Sequence, residues 1–104
     1  SAYREIEAVA AERLHRMLPE ELKPAFRPLF APEPADRELW ELVKAADKIC
    51  AYLKCVEEMN AGNPEFSKAA RALKAQVEAI DRPEVRYFLD RFAPSFRLTL
   101  DELD

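Results

Sequence analysis

Hydrophobic and polar positions follow the period of an α-helix through most of this chain. From about Tyr3 to Leu18, apolar side chains recur every three or four positions, which predicts an amphipathic first helix. These apolar positions are Tyr3, Ile6, Val9, Ala10, Leu14 and Met17. His15 falls on the opposite, charged side between Arg13 and Arg16, so we expect a solvated surface histidine. No segment shows the sustained two-residue alternation of a strand, and the pattern predicts an all-α protein.

Prolines interrupt the helical pattern over residues of about 19–36. This stretch carries most of the eight prolines of the chain. Pro24 and Pro28 remove backbone donors, so we expect only short, interrupted helical turns. The stretch is therefore predicted to be a connector between helices.

The longest helix is predicted over about residues 37–61. Asp36 is a candidate N-cap, and Gly62, the only glycine, is suited to the position just beyond the helix. Asn63 and Pro64 then carry the signature of another helix start. The two helices should form an antiparallel hairpin.

A last helix is predicted in the string "DRPEVRYFLDRFAP". Asp81 is a candidate cap, Pro83 opens the helix and Pro94 closes it. Thr99 and Glu102 offer a capping box in the tail. Three phenylalanines are interpreted as packing residues: Phe88, Phe92 and Phe96.

The central helix carries two charges within an otherwise wide apolar arc, Asp47 and Lys54. A carboxylate at the margin of a packed core requires an ion pair, hydrogen bonds or a metal. The pattern alone leaves two alternatives open for Asp47: an interhelical ion pair, or a metal-ligating or catalytic carboxylate. Cys50 and Cys55, on the same helix, fit neither a disulfide within that helix nor a zinc motif, and we expect packing thiols.

Composition narrows the classes of function. The net charge of -4 argues against a protein that binds nucleic-acid polymers through their phosphate backbone. No apolar run is long enough for a membrane span, and no signal peptide is evident, so we expect a cytoplasmic protein.

Two strings carry a resemblance to a known family: "LVKAADKICAYLKCVEEMNAGNPEF" and "FAPSFRLTLDEL". They resemble the C-terminal half of the HD-domain 5'-deoxynucleotidases, the YfbR-like metal-dependent phosphohydrolases. The resemblance implies that this chain is the C-terminal portion, residues 1–104, of a single helical HD-type domain. It also implies that Asp47, in the "VKAAD" context, is the last ligand of a divalent metal of the cobalt, manganese or magnesium class. The implied reaction is hydrolysis of deoxyribonucleoside 5'-monophosphates to deoxynucleoside and phosphate.

The chain departs from the family pattern in its other ligands. It has one histidine and no His-Asp dipeptide, so the isolated chain is expected to be inactive and to contain no complete catalytic set. The expected partners are the N-terminal half of the domain or a second copy of the chain, with a homodimer implied by the family. Two residues are candidates for substrate binding: Glu33, at the rim of a pocket, and Lys54, which would steer a phosphate toward the metal. The alternative is a stand-alone helical interaction or scaffold domain without catalysis.

Overall fold

The structure is a computed structural model that describes residues 1–103, and its regular elements there are all helical. The five α-helices of this range are α1 (Ala2–Arg16), α2 (Lys23–Phe30), α3 (Arg37–Asn60), α4 (Ser67–Glu78) and α5 (Pro83–Arg91). Short 3-10 turns lie at Glu20–Leu22, Pro34–Asp36, Pro64–Phe66, Ala93–Arg97 and Leu100–Glu102. The prediction of an all-α fold is confirmed. None of the helices between residues 1 and 103 has the length and apolar composition required to cross a membrane.

The chain divides into two compact units, Ser1–Trp40 and Glu41–Asp104. The first unit holds α1, α2 and the first residues of α3. The second holds the rest of α3 together with α4, α5 and the tail.

In the first unit, His15 is where the sequence-based expectation was wrong. Its side chain is 8% exposed, its Nε2–H donates to the Lys23 carbonyl oxygen at 3.0 Å, and its ring lies edge-on to Phe30 with centroids 5.7 Å apart. Tyr3 and Met17, on the apolar stripe of α1, are instead exposed. α1 therefore packs through its predicted polar side, because that is the side on which α2 lies.

The proline-rich connector is also more ordered than the prolines indicate. α2 is a continuous eight-residue helix with Pro28 inside it. Pro24 lies in the first turn of α2, where a missing N–H has no cost, and Pro28 removes only one intrahelical hydrogen bond. An ion pair between Arg27 and Glu12, with Nη1 and Oε2 3.3 Å apart, ties α2 to α1.

The end of α3 was predicted correctly, and Gly62 explains it. Gly62 has φ +85°, and its N–H donates to the Met59 carbonyl at 3.0 Å while the Asn63 N–H donates to the Glu58 carbonyl at 2.9 Å. This pair of bonds is a Schellman motif, which requires a left-handed residue at the position of Gly62. At the other end of α3, Asp36 closes a 3-10 turn that runs directly into the helix.

The helix start after Gly62 follows the prediction with one difference. The Asn63 side chain accepts from the Glu65 N–H at 3.3 Å, and Pro64 occupies the first helical position. The first turn, however, is a 3-10 turn, and the α-helical part of this segment begins at Ser67.

The core of the second unit is formed by α3, α4 and α5. Val77 of α4 is fully buried, and Val85 of α5 is almost so. They pack with one face of α3 whose buried members are Ala45, Ile49, Tyr52, Leu53 and Val56. Met59 and Ser67, next to the Gly62 turn, line one cavity, while Tyr52 and Val77, farther from that turn, line the next. α4 therefore runs back along α3, as predicted for an antiparallel hairpin.

The start of α5 is arranged differently from the prediction. Asp81 does not cap it; its carboxylate accepts from Arg86 at 2.7 Å, across the first turn. Phe88 and Phe96 pack against the core, whereas Phe92 is half exposed and stacks on Phe88 with centroids 5.6 Å apart.

The Thr99 and Glu102 pairing in the tail is present. The Glu102 carboxylate accepts from the Thr99 N–H at 2.7 Å and from the Thr99 hydroxyl at 3.0 Å. These two bonds lower the pKa of Glu102, the backbone bond contributing most.

Candidate functional site

Asp47 lies on the face of α3 that turns away from the core of the second unit. Its side chain is exposed, and so are those of Ala46 and Cys50. Val43, one turn before Asp47, is 55% exposed. The core instead takes the face that contains Ile49 and Leu53. The wide apolar arc of α3 is thus only half buried within this unit.

The expected ion pair of Asp47 does not form within residues 41–103, the described part of the second unit. Its carboxylate has no hydrogen bond or salt bridge in that range. The structural alternative is therefore wrong for an arginine of the last helix, and a pair with an arginine of the connector, which belongs to the other unit, stays a prediction. The carboxylate is left available to solvent or to a ligand.

The described residues do not make a complete metal site. In the range 1–103, no three His, Cys, Asp or Glu side chains come close enough together to hold a metal ion. Divalent metals in proteins take several oxygen or nitrogen ligands, of which a single carboxylate supplies one or two. Asp47 is suited to supply one ligand, and residues 1–103 do not bring the remaining ligands together with it.

Lys54 is held by a carboxylate of its own helix. Its Nζ donates to Glu58 Oε1 at 2.7 Å, and Glu58 Oε2 accepts from Asn63 Nδ2 at 3.3 Å. The hydrogen bond with Glu58 raises the pKa of Lys54, and the same bond lowers the pKa of Glu58. Lys54 therefore belongs to the network that closes α3, and its role in substrate binding stays a prediction.

Glu33 is an exposed residue of the first unit. Its backbone is extended, with φ -84° and ψ 154°, and its carbonyl accepts from the Asp36 N–H at 3.0 Å to start a 3-10 turn. The carboxylate has no hydrogen bond or ion pair within residues 1–103. Its predicted contact with substrate is likewise still a prediction.

The two cysteines differ in their surroundings. Both are free thiols; Cys55 is buried and Cys50 is exposed. The expectation of packing thiols therefore holds for Cys55 and is wrong for Cys50 within the described chain, because Cys50 shares the outward face of α3 with Asp47.

Sequence reasoning missed a group of basic side chains that the fold brings together. Arg71, Lys74 and Arg97 line a common cavity on another side of α3. The spacing of Arg71 and Lys74 places them on one face of α4, which the sequence does show. Nothing local links Arg97 to them, because it arrives from the turn that follows α5.

Comparison with known proteins identifies the family. A family model described as 5'-deoxynucleotidase YfbR-like matches residues 1–96. A 5'-deoxynucleotidase of Shewanella oneidensis is 48% identical over 102 residues, which are 98% of this chain and 52% of that protein. A 5'-deoxynucleotidase of Vibrio cholerae is 50% identical over 97% of this chain and 52% of its own length. The Escherichia coli protein named 5'-deoxynucleotidase YfbR is 48% identical over 97% of this chain and 51% of its own length.

The resemblance seen in the strings around Asp47 and in the tail thus extends along almost the whole chain. The chain spans about half the length of the curated relatives it matches. On the strength of the match over residues 1–96, this chain belongs to the YfbR-like 5'-deoxynucleotidase family.

Proposed function

We propose that the protein containing this chain is a metal-dependent phosphohydrolase that converts deoxyribonucleoside 5'-monophosphates to deoxynucleosides and phosphate in the cytoplasm. The observation that carries the proposal is the family match through α3, joined to the exposed, unpaired carboxylate of Asp47 in the "VKAAD" string. The relatives are named 5'-deoxynucleotidases, and their names support this substrate class.

Asp47 would supply one anionic oxygen to a divalent metal of the cobalt, manganese or magnesium class. When bound, such an ion lowers the pKa of a coordinated water and neutralises charge on phosphoryl oxygens. The role of Asp47 would be to hold its carboxylate at a fixed position on a long helix, where it forms no ion pair within the second unit. Lys54, two turns farther along, forms its ion pair with Glu58. The Asp47 carboxylate would therefore remain free to bind the ion.

The remaining ligands would come from outside residues 1–103. The exposed apolar side chains on α1 and α3 support this proposal, because surfaces with exposed residues such as Ile6, Val9 and Val43 usually bind another protein segment. The N-terminal half of the domain or a second copy in a homodimer would cover them. The chain by itself would then be inactive.

The test of this proposal is Asp47→Asn in the intact protein, with Asp101→Asn as a matched control. Asp101 is also exposed and lies in the tail, so the control repeats the chemical change away from α3. We expect Asp47→Asn to lower kcat/KM for phosphate release from deoxyribonucleoside monophosphates roughly 100-fold or more, and to weaken binding of Co²⁺ or Mn²⁺ measured by calorimetry. Unchanged metal affinity and activity in Asp47→Asn would rule out its role as a ligand.

A helical scaffold domain without catalysis is the second candidate, and the exposed apolar side chains of α1, such as Ile6 and Val9, favour it because they suit the binding of another protein. Intact mass and size-exclusion measurements on the native protein separate the two. A native species of only 12.0 kDa that releases no phosphate with any divalent metal would support the scaffold, whereas a longer active protein would support the enzyme.

A further inference from the structure

A cavity of about 290 Å³ opens between α3, α4 and the 3-10 turn that follows α5. Val56 and Ala70 form part of its apolar wall, and the Ser67 hydroxyl lies on its lining. A second cavity of about 210 Å³ shares Lys74 and Arg97 with the first. The cavity is at the small end of the range for ligand sites, which indicates a compact ligand.

The charge of this cavity opposes that of the protein. Its ionisable lining residues are Arg71, Lys74 and Arg97, with no carboxylate among the residues that line it, although the chain carries a net charge of -4. Three cations line this cavity, and the nearest acid, Glu78, pairs loosely with Lys74 alone and lines the adjoining cavity, so the net charge around the cavity is positive and attracts anions.

The hydrogen bonds of these cations leave most of their donors available. Arg71 makes no hydrogen bond or ion pair within residues 1–103. Arg97 donates to the Tyr52 hydroxyl at 3.3 Å, and Lys74 Nζ lies 3.7 Å from Glu78 Oε1. Elsewhere in the same unit basic side chains are held more closely, for example Arg86 by Asp81 at 2.7 Å.

We infer that this cavity binds a phosphate monoester, with the phosphate between Arg71 and Arg97 and the organic part against Val56 and Ala70. A guanidinium group donates two parallel hydrogen bonds to two oxygens of one phosphate. The apolar wall suits the organic part of an ester better than a free inorganic ion. Tyr52 and Val56 project about 140–180° away from Asp47 around α3. The site is therefore separate from the proposed metal ligand, and it does not depend on the proposed hydrolytic function.

The experiment is calorimetric titration of the intact, EDTA-treated protein with phenylphosphonate. This probe carries the charge of a phosphate monoester next to an apolar ring, and its C–P bond is not hydrolysed. The diagnostic variant is Arg71→Gln, because Arg71 is exposed and has no partner whose loss would disturb folding. Lys68→Gln is the matched control: it removes one positive charge from the same helix, at a residue that does not line the cavity. Asp47→Asn separates this site from the metal face.

We expect Arg71→Gln to weaken phenylphosphonate binding about tenfold or more, since hydrogen bonds to charged groups are the stronger class. Lys68→Gln and Asp47→Asn should bind like the unchanged protein. Inorganic phosphate, used as a second probe, should bind more weakly than phenylphosphonate because it makes no contact with the apolar wall.

Three results would overturn the inference. One is the absence of binding at millimolar phenylphosphonate, which would also be the result if an acidic side chain from elsewhere in the protein filled the cavity. Another is an equal loss in Arg71→Gln and Lys68→Gln, which would indicate only a general charge effect. The third is binding that needs added metal and disappears in Asp47→Asn.

Discussion

Replacing Gly62 by alanine tests the backbone conformation that ends α3. Gly62 has φ +85°, and a Cβ added there would meet no atom within 4 Å. The change therefore carries no steric clash with neighbouring groups and isolates the cost of a left-handed conformation. That cost is roughly 1–2 kcal/mol for an L-residue, and the reduced freedom of the unfolded chain offsets about 0.4–1 kcal/mol of it. The expected net loss is about 1 kcal/mol.

Urea unfolding of the intact protein measures this loss, and Gly62→Asn is the matched control. Asparagine tolerates the left-handed region better than alanine, so the free energy of unfolding should fall in the order Gly, Asn, Ala. For a domain of roughly 150–250 residues, 1 kcal/mol corresponds to a decrease in Tm of roughly 2–4 °C. A neutral or stabilising Gly62→Ala would refute the Schellman geometry. A larger loss in Gly62→Asn than in Gly62→Ala would show that side-chain size, and not backbone conformation, sets the cost.

Two further predictions concern the buried histidine and the end of α3. His15→Ala should destabilise the protein by about 2 kcal/mol in thermal unfolding, because it removes a buried ring and its hydrogen bond to the Lys23 carbonyl; a change below about 0.5 kcal/mol, typical of a surface position, would contradict the burial. The pKa of Glu58 is lowered in the folded state by its hydrogen bond with Lys54, so its contribution to stability is present above the unfolded pKa and is lost as the pH falls through the folded pKa. Glu58→Gln should therefore make the loss of stability with acid shallower below about pH 4.5, and identical acid limbs in the two proteins would refute this linkage.

Local signals predicted the helix boundaries because a cap depends on residues that are close in the chain. Gly62, Asn63 and Pro64 ended one helix and began the next as expected. Asp81 was the exception: its carboxylate was within reach of Arg86, and an ion pair took the place of the cap.

Asp47 shows how far a pattern alone could reach toward function. Periodicity identified a carboxylate that required an explanation, but it left both an interhelical ion pair and a metal ligand open. Family resemblance implies the metal-ligand role, and the fold turns Asp47 away from the core of the second unit, where it forms no ion pair with the last helix.

By itself the sequence determined that the protein is all-α, where most of its helices begin and end, and to which family it belongs, because these depend on local patterns and on strings of residues. Only the tertiary structure decided which side of each helix is buried, because burial depends on the elements that pack against it. α2 covers the polar side of α1 and buries His15, while α4 and α5 cover one half of the apolar arc of α3 and leave Asp47 exposed. The fold was likewise required to place Arg97 and Arg71 in the lining of one cavity, since the two residues come from different elements.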